Sequence, residues 1–173
     1  QSYWIDQPRL LREGLAQDFV FQANLKFFRP GLTHLFGGYG IAIATNLPIL
    51  EISRHRLPSP AETRGALQVS LQTASGPLTV FCTHLGLKFD ERRRQSAALA
   101  HRVRRATAPI IVCGDMNESP ESETMLKFLS DTALSDWGRE NSAPTSPSNA
   151  PRARIDAIFG SSTLVLKRCA PVE

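Results

Sequence analysis

The stretch IIVCGDMNESP, residues 110–120, constrains the fold of this chain more than any other. Ile110, Ile111, Val112 and Cys113 form an unbroken run of β-formers, which suits a strand covered on both faces of its sheet. Gly114 ends the run. Asp115 and Asn117 follow, and both are poor strand formers, so sheet stability does not explain their presence. Strand ends are where α/β proteins keep their chemistry.

The rest of the chain supplies partners for that strand. Helical spacing at Leu10, Leu11 and Leu15 precedes alternation at Phe19, Phe21, Ala23 and Leu25, so a short helix feeds a strand. Gly31, Gly37, Gly38 and Gly40 read as a loop, and GIAIAT and ILEISRHR as two strands interrupted by Pro48. GALQVSLQT and PLTVFCTHL, joined by ASG, form a hairpin. From Glu91 to Ala106 proline and glycine are absent, and Gln95, Leu99, Val103 and Ala106 share one face of an amphipathic helix. A second helix is expected around Ser122 to Leu129. A polar loop then runs from Asp131 to Arg152, and RIDAIFG and TLVLKRCA close the chain as strands. Some seven strands in mostly adjacent antiparallel pairs, with few helices, predict an α+β sandwich over a doubly wound sheet. No repeat or linker divides residues 1–173, so they read as a single domain.

At 173 residues and 42% apolar, the chain can bury one real core, and no apolar run is long enough for a membrane span. The formal charge of +4 favours anionic partners only mildly. Cys82, Cys113 and Cys169 lie far apart in apolar segments, without metal-site spacing or an even count, and read as buried free thiols. No signal segment opens the chain, and Gln1 is not an initiator, so the start reads as processed or cut. The compartment stays open, with the cytoplasm preferred for a soluble chain.

Three polar positions break apolar strands or their ends: His84 in VFCTHLG, Asp115 with Asn117 in CGDMN, and Asp156 in RIDAIF. Such breaks mark functional or strained sites. Asp115 is either a turn or cap residue or a carboxylate that takes a proton from water. On an extended backbone Asn117, two residues on, would face the same ligand, and it can only donate or accept hydrogen bonds. His84 keeps phase with Leu78, Val80 and Cys82 and points away from Phe81 and Thr83. It is either a hydrogen-bonded core histidine or a donor to a phosphoryl oxygen, and no HxH or HxxxH spacing suggests zinc. Asp156 within a strand needs a partner: an ion pair with Arg152 or Arg154, or a histidine whose ring it orients. The arginines at 92, 93, 94, 102, 104 and 105 are either a phosphate patch or a solvated helix face.

Taken together and in order, GYGIAIATNLPI, RGALQVSLQT, LTVFCTHLGL, ERRRQSAAL, IIVCGDMNESPES and TSPSNAPRARIDAIFGSS resemble the endonuclease/exonuclease/phosphatase superfamily, metal-dependent phosphoesterases. The resemblance implies a four-layer α/β/β/α sandwich of two mainly antiparallel sheets, with a site at one edge of the sheets. It implies that Asp115 activates or orients the attacking water, Asn117 contacts phosphate and steadies Asp115, His84 binds phosphoryl oxygen, and Asp156 orients a catalytic histidine. It implies hydrolysis of a phosphoester, most often a phosphodiester, with magnesium, or with manganese in its place. Asp115 and Asn117 are the metal-binding candidates that this chain offers.

The departures are as informative. The family's N-terminal strand and glutamate motif, and its C-terminal serine-aspartate-histidine motif, have no counterpart in these residues; Ile41 and Ala157 stand where asparagine and tyrosine are common. The expectation is an internal part of a larger domain, nearly inactive by itself and prone to self-association through uncovered edges. Tyr39, Phe89 and Trp137 are the aromatics that would flank a nucleic-acid backbone. Substrate is not legible between nucleic acid and a small phosphoester, while GRENSAPTSPSNAPR is too polar for a lipid-seeking loop. A non-catalytic scaffold that keeps the fold is the alternative.

Overall fold

In the computed structural model, residues 7–15, 18–27, 37–60, 62–106, 109–140 and 143–170 are described. Helix α1 spans Gln7–Leu15, and strands β1 and β2 span Asp18–Phe27 and Gly37–Thr45. Strands β3, β4 and β5 span Ile49–Arg56, Gly65–Thr73 and Gly76–His84, and α2 follows over Phe89–Val103. Strand β6 covers Ile110–Asp115, α3 Glu123–Thr132, β7 Leu134–Asp136 and β8 Asp156–Ser161. The strands form a two-stranded sheet, β1-β2, and a six-stranded sheet in the order β3-β4-β5-β6-β8-β7. Only the β5–β6 pair of the larger sheet is parallel, with α2 in the crossover, as a parallel connection requires.

Alternation along the strands sorts side chains onto two faces. Phe81, Val112 and Phe159 point to the face that Leu99, Ala100 and Val103 of α2 and Met125 and Phe128 of α3 cover. Leu67, Val69 and Leu71, with Val80 and Cys82, point the other way and meet Val20 and Ile41 of the smaller sheet. α1 lies against β1 and β2. The result is the expected α+β sandwich, with helices outside two stacked sheets and no doubly wound sheet. The strand IIVCGD sits at the centre of the larger sheet, between β5 and β8; Ile110 and Val112 are buried on the helix face, while Ile111 and Cys113 on the other face are half-buried.

The helix predictions hold. Gln95, Leu99 and Val103 are buried, and Ala106 packs against them. Ser122 caps α3, its hydroxyl accepting from the Met125 N–H.

Four expectations need correction. Gly37, Gly38 and Gly40 are not loop residues but belong to β2, where a Cβ on Gly40 would strike the Gln22 carbonyl oxygen at 2.1 Å; Gly31 lies outside the described residues. The polar stretch after Asp131 holds the short edge strand β7, paired to β8. TLVLKRCA forms no strand; Val165 is 87% exposed, and neither edge of the larger sheet is paired to this segment. The cysteines are half-buried and free.

Candidate functional site

Register brings the site together. His84 is opposite Asp115 across the parallel β5–β6 pair, and Asp115 is opposite Asp156 across the antiparallel β6–β8 pair. The three residues therefore form one transverse row at one end of the larger sheet. Cross-strand partners share a face, and this is the face that carries Val80, Cys82 and the smaller sheet.

Gly114 makes the row possible. Its φ is +145°, and a Cβ there would lie 1.9 Å from the Thr83 carbonyl oxygen, so only glycine lets the end of β6 close up on β5. The Leu85 N–H donates to the Asp115 carbonyl at 2.9 Å and the Met116 N–H to the Ile155 carbonyl at 2.8 Å, extending the ladder past the side chains that matter.

Asp115 makes the local turn contact that its sequence allowed, and its second oxygen faces His84. Oδ1 accepts from the Asn117 N–H at 2.8 Å, a local turn contact, while Oδ2 faces His84 Nε2 at 3.4 Å. Asn117 arrives differently from expectation. Its φ is 53°, so the backbone is left-handed and not extended. Its Nδ2 donates to the Leu85 carbonyl at 2.8 Å, which ties the loop after β6 to the loop after β5 and leaves Oδ1 as its open polar atom.

His84 is half-buried, and Tyr39 of β2 reaches it from the smaller sheet, with the phenol hydroxyl hydrogen-bonded to Nδ1. Burial, then the positive charge of Arg64, lowers its pKa; Asp115, Glu62 and Asp156 pull the other way. The imidazole is therefore a neutral donor and not a cation at neutral pH.

Asp156 opens β8 and is exposed, so the expected cost of a carboxylate inside a strand does not arise. The expected ion pair is also absent: Arg154 Nη1 donates to Asp136 Oδ2 at 2.9 Å, and Nη2 donates to Oδ1 at 2.5 Å, which raises the Arg154 pKa. Among the described residues Asp156 has no ion-pair partner, and that of Asp115 is His84.

Two more loop contacts brace the row. Arg92 lies inward, its Nε 3.2 Å from a Glu118 carboxylate oxygen and its Nη1 donating to the Leu87 carbonyl at 2.6 Å. Gln95, fully buried, accepts from the Gly86 N–H at 2.7 Å and donates to the Pro58 carbonyl at 3.0 Å. The remaining arginines of the basic run behave as a solvated face: Arg93, Arg94, Arg102, Arg104 and Arg105 are exposed.

Arg64 carried no sequence signal, because a lone arginine before a strand resembles any other. It is 3% exposed, paired at 3.1 Å with Glu62, and its Nε and Nη1 have no partner. Of the aromatics weighed for a nucleic-acid track, Tyr39 alone touches the row. Phe89 begins α2 in an exposed position, and Trp137 packs on Gly160, toward the other end of β8 from Asp156.

A cation suits the row. Two carboxylates directly opposite one another repel, and Asp115 and Asn117 offer oxygen donors of the hard kind that magnesium prefers. Among the described residues no group of three or more His, Cys, Asp or Glu side chains could hold a metal ion, so water and substrate oxygens would supply the rest of its shell.

A family profile described as the endonuclease/exonuclease/phosphatase family matches residues 4–173. No curated protein sequence matches significantly. Among solved structures, the human Nocturnin catalytic domain with bound sulfate is 20% identical and superposes at a TM-score of 0.70, over 94% of this chain and 67% of that one. Mannosyl-6-phosphatase of Bacteroides thetaiotaomicron is 19% identical, with a TM-score of 0.71 over 92% and 68%. An endonuclease/exonuclease/phosphatase protein of Beutenbergia cavernae is 20% identical, with a TM-score of 0.69 over 91% and 50%. The chain thus spans half to about two thirds of the length of these structures.

Proposed function

Since this chain belongs to the endonuclease/exonuclease/phosphatase family, we propose that it carries the water-activating and phosphate-holding side of a metal-dependent phosphoester hydrolase. The observation that supports this most is the row of His84, Asp115 and Asp156, aligned by register and lacking any lysine or arginine partner among the described residues. In this reading Asp115 Oδ2 orients a water and receives its proton, the water oxygen attacks phosphorus, and the bond to the leaving oxygen breaks. His84 donates from Nε2 to a phosphoryl oxygen as charge gathers there. Asn117 holds Asp115 through its backbone N–H and keeps the two loops in fixed relation. Asp156 is left free to orient a further donor or base.

Magnesium, or manganese in its place, held by Asp115 and Asn117, would neutralise charge on the phosphoryl and leaving oxygens. Substrate class follows less from the chain than from its relatives. A mannosyl-6-phosphatase among them acts on a small phosphoester, and the solvated arginines of α2 supply no track for a nucleic acid, so a small phosphoester is the preferred substrate. The glutamate and terminal histidine of the family pattern are absent from these residues, so turnover by them alone is expected to be near background.

Binding is therefore the sharper test. Magnesium at ten times its Kd should stabilise the 173-residue chain by about 1.4 kcal/mol, read as a rise in Tm that Asp115→Ala abolishes. A chain indifferent to magnesium, with His84 resonances that inorganic phosphate does not move, would favour a scaffold that keeps the fold without the chemistry. Brisk magnesium-dependent cleavage of bis-p-nitrophenyl phosphate that survives Asp115→Ala would remove Asp115 from its role.

A further inference from the structure

We infer that Tyr39 is a positioning residue for His84: its hydroxyl donates to Nδ1 and holds the ring as the neutral tautomer with the proton on Nε2. The inference deepens the reading above, in which His84 donates from Nε2.

The argument is one of donors and acceptors. Asp115 Oδ2 stands 3.4 Å from Nε2, and a carboxylate only accepts, so the nitrogen facing it must carry the hydrogen. In a neutral imidazole the other nitrogen is then a bare acceptor. The group bonded to that nitrogen is the Tyr39 hydroxyl, which can donate. The opposite assignment would leave Nε2 lone pair against carboxylate lone pair, which is repulsive.

The surroundings hold this state. The two rings meet edge on, with centroids 5.5 Å apart and an interplanar angle of 68°. The guanidinium of Arg64 lies over the Tyr39 ring, 5.9 Å from its centre and within cation–π range. The charged groups that act on His84 are Arg64, which disfavours its protonation, and Asp115, Glu62 and Asp156, which favour it; burial adds to the effect of Arg64. Tyr39 and Asp115 thus act on the two ring nitrogens in the same sense, the hydroxyl as donor to Nδ1 and the carboxylate as the acceptor that Nε2 faces.

The arrangement also crosses layers. Tyr39 belongs to the smaller sheet and His84 to the larger, so the tautomer depends on how the two sheets are stacked. Without the hydroxyl, Nδ1 would lose its donor, Asp115 alone would favour the proton on Nε2, and the ring could turn.

Tyr39 is 37% exposed, so Tyr39→Phe removes one oxygen from a surface-lying ring and leaves the packing in place. Long-range nitrogen–proton NMR of the 173-residue chain reads the tautomer directly. In the unaltered chain, Nε2 should show the protonated shift and Nδ1 the bare one. In Tyr39→Phe that preference should weaken, with a larger fraction of rings protonated on Nδ1. A bare Nε2 in the unaltered chain, or a tautomer balance that Tyr39→Phe leaves in place, would overturn the inference. Inorganic phosphate separates the two readings: if it leaves the Nε2–H signal unmoved while the tautomer behaves as stated, the phosphate role of His84 fails and the role of Tyr39 stands.

Discussion

Two neighbouring rows of the same three strands differ completely in what they do. Cys82, Cys113 and Ile158 form one row; two residues further along the strands, on the same face, His84, Asp115 and Asp156 form the next. In the first row the Cys113 thiol donates to the Phe81 carbonyl at 3.5 Å, and its bond to Cys82, together with burial, raises the Cys82 pKa. The Cys82 thiol stays protonated, and it packs under the smaller sheet. In the second row the sheet ends, the smaller sheet offers one phenol, and two carboxylates sit side by side. A single pleat separates packing from chemistry. What changes is not the backbone but the cover, because a charged row is affordable only where water reaches it.

That contrast can be broken at its buried side first. Phe81→Ala empties a site with no exposure at all under α2, and should cost about 3–5 kcal/mol in chemical denaturation. Ile158→Ala, at 39% exposure on the other face, should stay within about 1 kcal/mol. Equal losses would mean that Ile158 is covered in solution by another surface, which self-association of the chain would supply.

Asp156→Asn removes one of two opposed charges. In buffer free of divalent ions it should raise stability by up to about 1 kcal/mol, and the gain should vanish when magnesium is added. A loss of stability without magnesium would show that Asp156 has a partner and that the row is not a strained pair.

The smallest effect concerns pH. His84 has a lowered pKa in the folded chain, so between that value and the unfolded value near 6.5 the unfolded chain binds the extra proton. Stability should therefore fall as pH drops below about 6.5 and level off once the folded His84 titrates. His84→Gln should flatten this part of the curve of Tm against pH, and an unchanged slope would assign it to other groups.

Much of this architecture was readable from residues in order. The period-2 alternation of DFVFQANLKF and GALQVSLQT, the ASG turn and the 3.6-residue spacing of Gln95, Leu99 and Val103 are local signals with local causes. Where reading failed, the cause was not local. TLVLKRCA has the composition of a strand, but a strand exists only with a paired neighbour, and neither sheet edge takes this segment. The glycines at 37, 38 and 40 look like a loop, yet all three pair with β1 in a strand, and close approach of β1 calls for glycine at 40. Arg154, adjacent by one residue to Ile155 and by two to Asp156, is drawn to Asp136 instead, a partner 18 residues away.

The sequence by itself singled out the residues proposed for the chemistry: an apolar strand ending in glycine, aspartate and asparagine cannot be explained by stability. Tertiary structure alone decided their relation. Strand register set His84, Asp115 and Asp156 in one row, the left-handed backbone of Asn117 turned its amide toward Leu85, and sheet stacking delivered Tyr39 and Arg64. Side-chain type is a property of one position, while a hydrogen-bond partner or a shifted pKa is a property of two positions that only folding makes neighbours.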